Sequence, residues 1–353
     1  MSVLFRAWVV VCVSGLALHV GTVLAQVDDS PLESRLLRSA ARQESQGDFL
    51  GAESILMELM QAQPTSTGGL FALERVLRAQ SRILDILPVA ERYEEIDPEA
   101  GAPRILTIRI YSELGARDEL EAAAEAWLHL SGSTPEPYRE VSRALLNVAG
   151  PESALTALKR GRKKIGEPSL FALEMGDLLR DVGRVEEAIL EWTHVIGNDG
   201  TQVSAVMRRV GELKVDDKGL VKPMLDELGR QPTTVARLRA GTRIAVVAGL
   251  FEDALRLGRA ALDDLSGQIR RGFLTALAKQ AEDEDGAGLA LWAYEELREQ
   301  ASDRAETRAL DHRISMTALV VGDTARALAA QRSIAESLPE SSPDRRRALA
   351  ENL

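Results

Sequence analysis

Cysteine is almost absent from this sequence, since Cys12 is the only one among 353 residues. It lies in an apolar N-terminal run that we predict to be removed from the mature chain. The mature protein then has no thiol, which excludes disulfides and thiolate metal sites. Aromatic residues are also scarce, at 4%, so a core must be packed mainly from Leu, Ala, Val and Ile.

Histidine and the short motifs of catalysis are rare or missing. Apart from His19 in the apolar run, the chain has only His129, His194 and His312. These three are far apart, and none pairs at helical spacing with another metal ligand. HExxH, GxSxG and Walker sequences are absent. We therefore predict no enzyme activity, no cofactor and no metal site; a catalytic site supported by a helical array is the alternative.

The chain also lacks an excess of positive charge. It has 43 basic and 54 acidic residues, a net charge of −11. Nucleic-acid-binding proteins usually carry a basic surface, so we predict no nucleic-acid partner. Hydrophobic residues make up 45%, enough for a sizeable core, and the abundance of Leu, Ala, Glu and Arg favours helices.

The N-terminus has the layout of a secretory signal peptide. One positive charge, Arg6, precedes an apolar run that closes at the small residue Ala25. This pattern predicts that residues 1–25 are cleaved off after Ala25 and that the mature protein is periplasmic or secreted. An uncleaved anchor helix is the alternative, and it would be the only membrane contact. Ser14 and Gly21 interrupt the run and weaken that alternative.

A turn residue recurs with a fixed period in a pattern that is helical from about residue 30 onward. Five turn residues lie 34 positions apart: Gly47, Ser81, Gly115, Ala149 and Gly183. Five positions after each comes a small or apolar residue: Ala52, Ile86, Leu120, Ala154 and Ala188. Later copies drift in phase and pair Gly249 with Ala254, Asp285 or Gly286 with Ala290, and Gly322 with Ala327. Residues 201–232 hold a degenerate copy.

A repeated helical hairpin explains a period of this length. One hairpin cannot bury both of its apolar faces, but stacked hairpins bury a continuous core. Glycine at the turn takes the left-handed conformation that ends a helix, and the small residue lets the two helices approach closely. A bundle without repeats is the alternative, but it has no reason to keep a 34-residue register.

The pattern resembles the tetratricopeptide repeat (TPR) family, whose unit is a helix–turn–helix of 34 residues. The best copy runs over residues 168–199, with Gly176 and Leu179 on the first helix, Gly183 at the turn, and Ala188 and Trp192 on the second. Prolines at the family's repeat-ending position are Pro64, Pro98, Pro232 and Pro339. The Trp and Tyr usual on the first helix are mostly Leu, Val or Ala here.

The resemblance implies an all-α fold, a right-handed α-solenoid of about nine helix–turn–helix repeats over residues 26–340. Residues 341–353 are then a C-terminal capping helix or tail. We predict that the three tryptophans beyond the N-terminal run, Trp127, Trp192 and Trp292, pack in the core.

The resemblance also implies a binding face, because TPR proteins line their concave surface with set positions of the first helix. The position six residues before the turn is basic in most copies: Arg75, Arg109, Arg143, Arg209, Arg243 and Lys279. Asp177 interrupts the row, and Arg239 is among the arginines that would widen it. Arginine binds carboxylates at two points, so we predict a protein or peptide partner with an acidic segment. Salt bridges to neighbouring carboxylates are the alternative use of these cations.

The densest basic run, "KRGRKKIGEP" at 159–168, closes a predicted second helix. There it suits the helix dipole, and a patch for anionic lipid or an acidic partner is the alternative. Together these features predict an extracytoplasmic scaffold for protein–protein interaction, possible roles being envelope assembly or secretion. A structural homo-oligomer that uses the terminal repeats is the alternative function.

Overall fold

The computed structural model describes residues 31–338, together with residues 342, 343 and 345. Throughout this described part the regular structure is helical and no strand occurs. The predicted signal peptide lies outside the described residues, as does most of the predicted C-terminal segment 341–353. None of the described helices is both long and apolar enough to span a bilayer.

The chain divides into two compact units, one ending at Leu106 and the other beginning at Thr107. The first unit holds α1 (Pro31–Ser45), α2 (Phe49–Ala62), α3 (Thr67–Ala79), a 3₁₀ turn (Ile83–Ile86), α4 (Leu87–Ile96) and the start of α5 (Gly101–Leu114). The predicted helix start with Pro31 at its first position is confirmed.

The second unit holds the rest of α5 and thirteen further α-helices. These are α6 (Arg117–Leu130), α7 (Glu136–Val148), α8 (Pro151–Ile165), α9 (Ala172–Asp181), α10 (Val185–Thr193), α11 (Val203–Gly211), α12 (Lys222–Gly229), α13 (Val235–Val247), α14 (Phe251–Leu262), α15 (Gly267–Asp283), α16 (Ala287–Glu299), α17 (Arg304–Val321) and α18 (Thr324–Ser337). A 3₁₀ segment (Val215–Val221) precedes α12. Consecutive helices pair into nine helix–turn–helix units over residues 31–338, which confirms the predicted fold class.

One backbone hydrogen bond closes eight of the nine hairpins. In each, the N–H of the residue after the turn position donates to the carbonyl five residues earlier, at 2.7–3.1 Å. The donors are Asp48, Arg82, Ala116, Gly150, Arg184, Leu250, Gly286 and Asp323. The first five are 34 residues apart, so the bond reproduces the period of the sequence. It satisfies carbonyls that the end of a helix leaves open.

The turn residue itself is left-handed in most hairpins. Gly183 has a φ of +82°, and Ser81 and Asp285 take the same conformation without being glycine, each with a φ of +60°. The fourth hairpin differs from the prediction: Ala149 stays right-handed and the positive φ moves to Gly150. A glycine follows Ala149, so the chain turns at the residue where a positive φ costs nothing.

The residues predicted to lie five positions after the turn are all buried. Ala52, Ile86, Leu120, Ala154, Ala188, Ala254, Ala290 and Ala327 have at most 2% of their surface exposed. Trp127, Trp192 and Trp292 are buried as well, as predicted. The hairpin core is thus built from one small contact residue per turn and from larger side chains on either side of it.

The contact between α9 and α10 shows how closely two helices approach. A Cβ added to Gly176 would lie within van der Waals distance of the Trp192 indole and 3.0 Å from the carbonyl oxygen of Ala188. Trp192 is fully buried. Glycine is therefore required on α9 opposite the indole, for lack of room rather than for backbone conformation.

The sixth unit departs from the others, in the segment 201–232 where the repeat is degenerate in sequence. Its helices have nine and eight residues, and the 3₁₀ segment Val215–Val221 lies between them. α11 packs on α13, while α12 packs on α10 and α13. The closing bond of the other hairpins does not form within residues 203–229.

Candidate peptide-binding groove

The predicted row of cations begins with residues that the chain itself neutralises. Arg75, on α3, donates from Nε and Nη2 to the two carboxylate oxygens of Glu44 at 2.7 and 2.8 Å. These hydrogen bonds lower the pKa of Glu44 and raise that of Arg75. Both partners lie in the first unit, and the contact joins the first helices of successive hairpins.

Arg109 and Arg143 lie in the second unit. Arg109 is half-buried on α5 between the buried Ile108 and Ile110, and it is engaged with a neighbouring group. Arg143, on α7, is exposed and donates to Glu140 one turn earlier at 2.7 and 2.9 Å. Neither is poised as a bare cation.

Around Arg143 the surface between α7 and α9 is acidic. The hollow there encloses about 350 Å³ and is lined by Arg139, Ser142, Arg143, Leu146, Leu158, Glu174, Asp177, Leu178 and Asp181. Arg139 pairs with Glu174 across the two helices at 2.9 Å. Carboxylates outnumber cations in this hollow, so it does not favour an acidic ligand.

Asp177 turns out to be the partner of the next cation in the row. Arg209, on α11, binds both oxygens of Asp177 at 2.6 Å and donates to the carbonyl of Ala205 at 3.0 Å. The hydrogen bonds with Asp177 raise the pKa of Arg209. Row positions of neighbouring hairpins are therefore in contact here, but the contact is an internal salt bridge.

Arg243 and Lys279 are different, because they border an open groove between α13 and α15. The groove encloses about 470 Å³ and is lined by Met207, Arg239, Arg243, Val247, Gly272, Phe273, Ala276, Leu277, Lys279, Gln280, Asp283 and Glu284. Within residues 31–338 no carboxylate forms an ion pair with Arg239, Arg243 or Lys279. Three cations thus face two carboxylates, which lie together at the end of α15.

Two contacts fix the walls of this groove. Gln280 donates from Nε2 to the backbone carbonyl of Arg243 at 3.0 Å, which joins α15 to α13. The guanidinium of Arg239 lies 5.7 Å from the centre of the Phe273 ring, a distance typical of a cation–π contact. The floor between them is apolar, since Leu277 is buried there. The groove therefore offers fixed positive charge above an apolar floor.

The basic run at 159–168 is largely used within the fold. Arg160 pairs with Glu125 at 2.5 Å, and Lys164 donates to the carbonyl of Ser131 at 2.7 Å. Arg162 binds Glu191 and the carbonyl of Leu170. Because these contacts join neighbouring hairpins, the run ties the stack together; Lys159 and Lys163 remain exposed.

Sequence reasoning identified Arg243 and Lys279 and missed Phe273, Met207 and Gln280. Phe273 could have been found, because it lies 34 residues after Arg239 and so meets it one repeat later. Among the described residues, no group of three or more His, Cys, Asp or Glu side chains is arranged to hold a metal ion.

The recurrent closing bond, the buried residue at a constant offset and the 34-residue spacing decide what kind of repeat this is. The repeats are of the tetratricopeptide type. No family model and no curated protein matches the sequence. TPR structures are found among the solved structures, at low similarity.

MamA is 14% identical over 44% of this chain and 91% of its own, with a TM-score of 0.33. A TPR protein from Parabacteroides merdae is 11% identical over 92% of this chain and 99% of its own, with a TM-score of 0.30. The C-terminal part of a TPR protein from Cytophaga hutchinsonii is 17% identical over 69% and 99%, with a TM-score of 0.28.

Proposed function

We propose that this chain is a scaffold for protein–protein interaction and that the groove between α13 and α15 binds an acidic segment of its partner. The observation that carries the proposal is the set of cations Arg239, Arg243 and Lys279, which have no carboxylate partner in residues 31–338. Elsewhere in the predicted row, Arg75, Arg143 and Arg209 are held by carboxylates of the chain itself. Their part in binding stays a prediction.

The chemistry of the groove suits an extended acidic ligand. A guanidinium holds a carboxylate at two points, whereas Lys279 acts as a mobile point charge. Apolar side chains on the floor add contact area without competing for charge. The stacking of hairpins sets these groups in a line along neighbouring helices, which matches a ligand in extended conformation better than a compact one.

The test is titration of a fluorescein-labelled peptide rich in Glu and Gly with the mature chain, followed by fluorescence anisotropy. Arg243→Ala combined with Lys279→Ala removes two charge-assisted contacts and should weaken binding roughly 30-fold or more. Lys159→Ala with Lys163→Ala is the matched control, since it removes the same charge from an exposed face outside the groove. Equal losses in both double variants would refute a specific groove.

We also propose that the chain works outside the cytoplasm, after cleavage behind Ala25, and serves envelope assembly or secretion of other proteins. The N-terminal pattern of Arg6, apolar run and small residue supports this. Expression with the native N-terminus, fractionation and intact-mass measurement test it. The expected mass lacks residues 1–25, and Ala25→Arg should block the cut. A full-length product in the cytoplasm would contradict the proposal.

A further inference from the structure

An exposed apolar surface lies on α17, in the last described hairpin. Met316, Leu319 and Val320 are 55%, 50% and 76% exposed. Their spacing places all three on one side of the helix. We call these three residues the α17 apolar surface. Clustered apolar side chains in water usually mark a contact site.

The α17 apolar surface continues the row that borders the groove. Met316 precedes the left-handed turn residue Gly322 by six positions, as Arg243 precedes Gly249 and Lys279 precedes Asp285. The same register position is therefore basic in two consecutive hairpins and apolar in the third.

α17 lies beside α15 at this point. Nη1 of Arg313 is 3.7 Å from Oε1 of Glu282, an ion pair between the two helices. Lys279 is one turn before Glu282 on α15, and Met316 is one turn after Arg313 on α17. Packed helices lie about 8–10 Å apart, so an extended peptide bridges the step with about three residues.

The charges between the two surfaces define what can cross. Asp283 and Glu284 lie at the end of α15, next to the step toward α17. They repel further acidic side chains, so a ligand's acidic stretch must end over the cations. Neutral residues are favoured next, and apolar ones after them.

We infer that the partner segment is bipartite, with acidic side chains over Arg243 and Lys279 and apolar side chains on the α17 apolar surface, about three residues away. This inference rests on the proposed function of the groove. It makes the third hairpin of the row a specificity site rather than a bare surface.

Two labelled peptides test it on the mature chain by fluorescence anisotropy. In the first, two glutamates are followed, after about three Gly and Ser residues, by two leucines; in the second, serines replace the leucines. The leucine peptide should bind about tenfold more tightly, as expected when a leucine is partly buried. Both chain directions of the peptide are made, because the groove does not fix its polarity.

A variant locates the gain. Met316→Gln with Val320→Asn should bind both peptides equally, at the affinity of the serine peptide. Ile269→Asn, which changes an exposed apolar residue of α15 outside the groove lining, should keep the tenfold difference. Circular dichroism checks that each variant is folded.

The outcomes separate the proposals. Equal affinity of the two peptides for the wild-type chain would overturn the bipartite ligand and leave the acidic groove intact. Failure of both peptides to bind would overturn both ideas. A wild-type chain that dimerises in sedimentation, and a Met316→Gln/Val320→Asn variant that is monomeric, would show that a second copy covers α17 instead.

Discussion

Replacing Gly176 by alanine tests how tightly the two helices of a hairpin pack. The new methyl group would run into the Trp192 indole and would lie 3.0 Å from the carbonyl oxygen of Ala188. The indole is fully buried and has no open space to rotate into. The backbone carbonyl cannot move without shifting α10. The change must therefore push α9 and α10 apart.

The expected cost follows from two opposing effects. Overpacking a closed core costs about 1–3 kcal/mol, and contact with backbone as well as a side chain favours the upper end. Alanine stabilises a helix interior by about 1 kcal/mol relative to glycine. The net prediction is a loss of about 2 kcal/mol in the free energy of unfolding.

Urea unfolding followed by circular dichroism measures the change, and hydrogen exchange of the α9 and α10 amides shows where it acts. Gly272→Ala is the matched control, because no atom lies within 4 Å of its added Cβ and it sits within α15. That variant should gain up to about 1 kcal/mol.

A double-mutant cycle makes the argument stricter. In a Trp192→Leu background the methyl group of Ala at 176 meets a smaller and more adaptable side chain, so Gly176→Ala should then cost little or stabilise. The coupling energy should be about 1–2 kcal/mol. If Gly176→Ala were neutral in the wild-type chain, or equally costly in both backgrounds, the close approach of glycine and indole would be refuted.

Three further predictions concern charges and the core. Asp177→Ala should cost about 1–3 kcal/mol in urea unfolding, because it leaves the largely buried Arg209 without its carboxylate; an unchanged midpoint would show that the pair contributes nothing. Asp311, which is buried beside Arg298, should cost about 2 kcal/mol when changed to Ala, and a Tm equal to that of wild type would contradict this. Burial raises the pKa of Tyr294 to about 12, so stability should fall as the pH rises from the ordinary value of about 10 toward 12. Ultraviolet titration should show one late tyrosine step that Tyr294→Phe removes, and titration of every tyrosine near 10 would count against it.

The turn register could be predicted because it depends on local backbone chemistry. A closing bond and a small contact residue each need one position per hairpin, and the sequence repeats both. Ser81 and Asp285 show the limit of a glycine rule, since the tertiary contacts hold them in the left-handed conformation without glycine. At Ala149 and Gly150 the choice between two adjacent residues was decided by which one could take a positive φ.

The candidate site was harder to predict, because the row of cations has two uses. Residue type and register are the same for Arg209 and Arg243, yet one is held by Asp177 and the other borders an open groove. The difference arises from which side chain occupies the equivalent position of the preceding hairpin. That neighbour lies about one period away in sequence, so only a register that includes the sixth unit would have revealed it, and there the repeat is degenerate.

The irregular sixth unit has a mechanical consequence. Every other hairpin is closed at its turn, whereas α11 and α12 are held mainly by their neighbours α10 and α13. In a stack whose cohesion is a sum of nearest-neighbour interfaces, a pulling force applied along the second unit would be resisted least at this point. The chain would then yield first between α10 and α13, and the groove on α13 and α15 would stay whole on one side of the break.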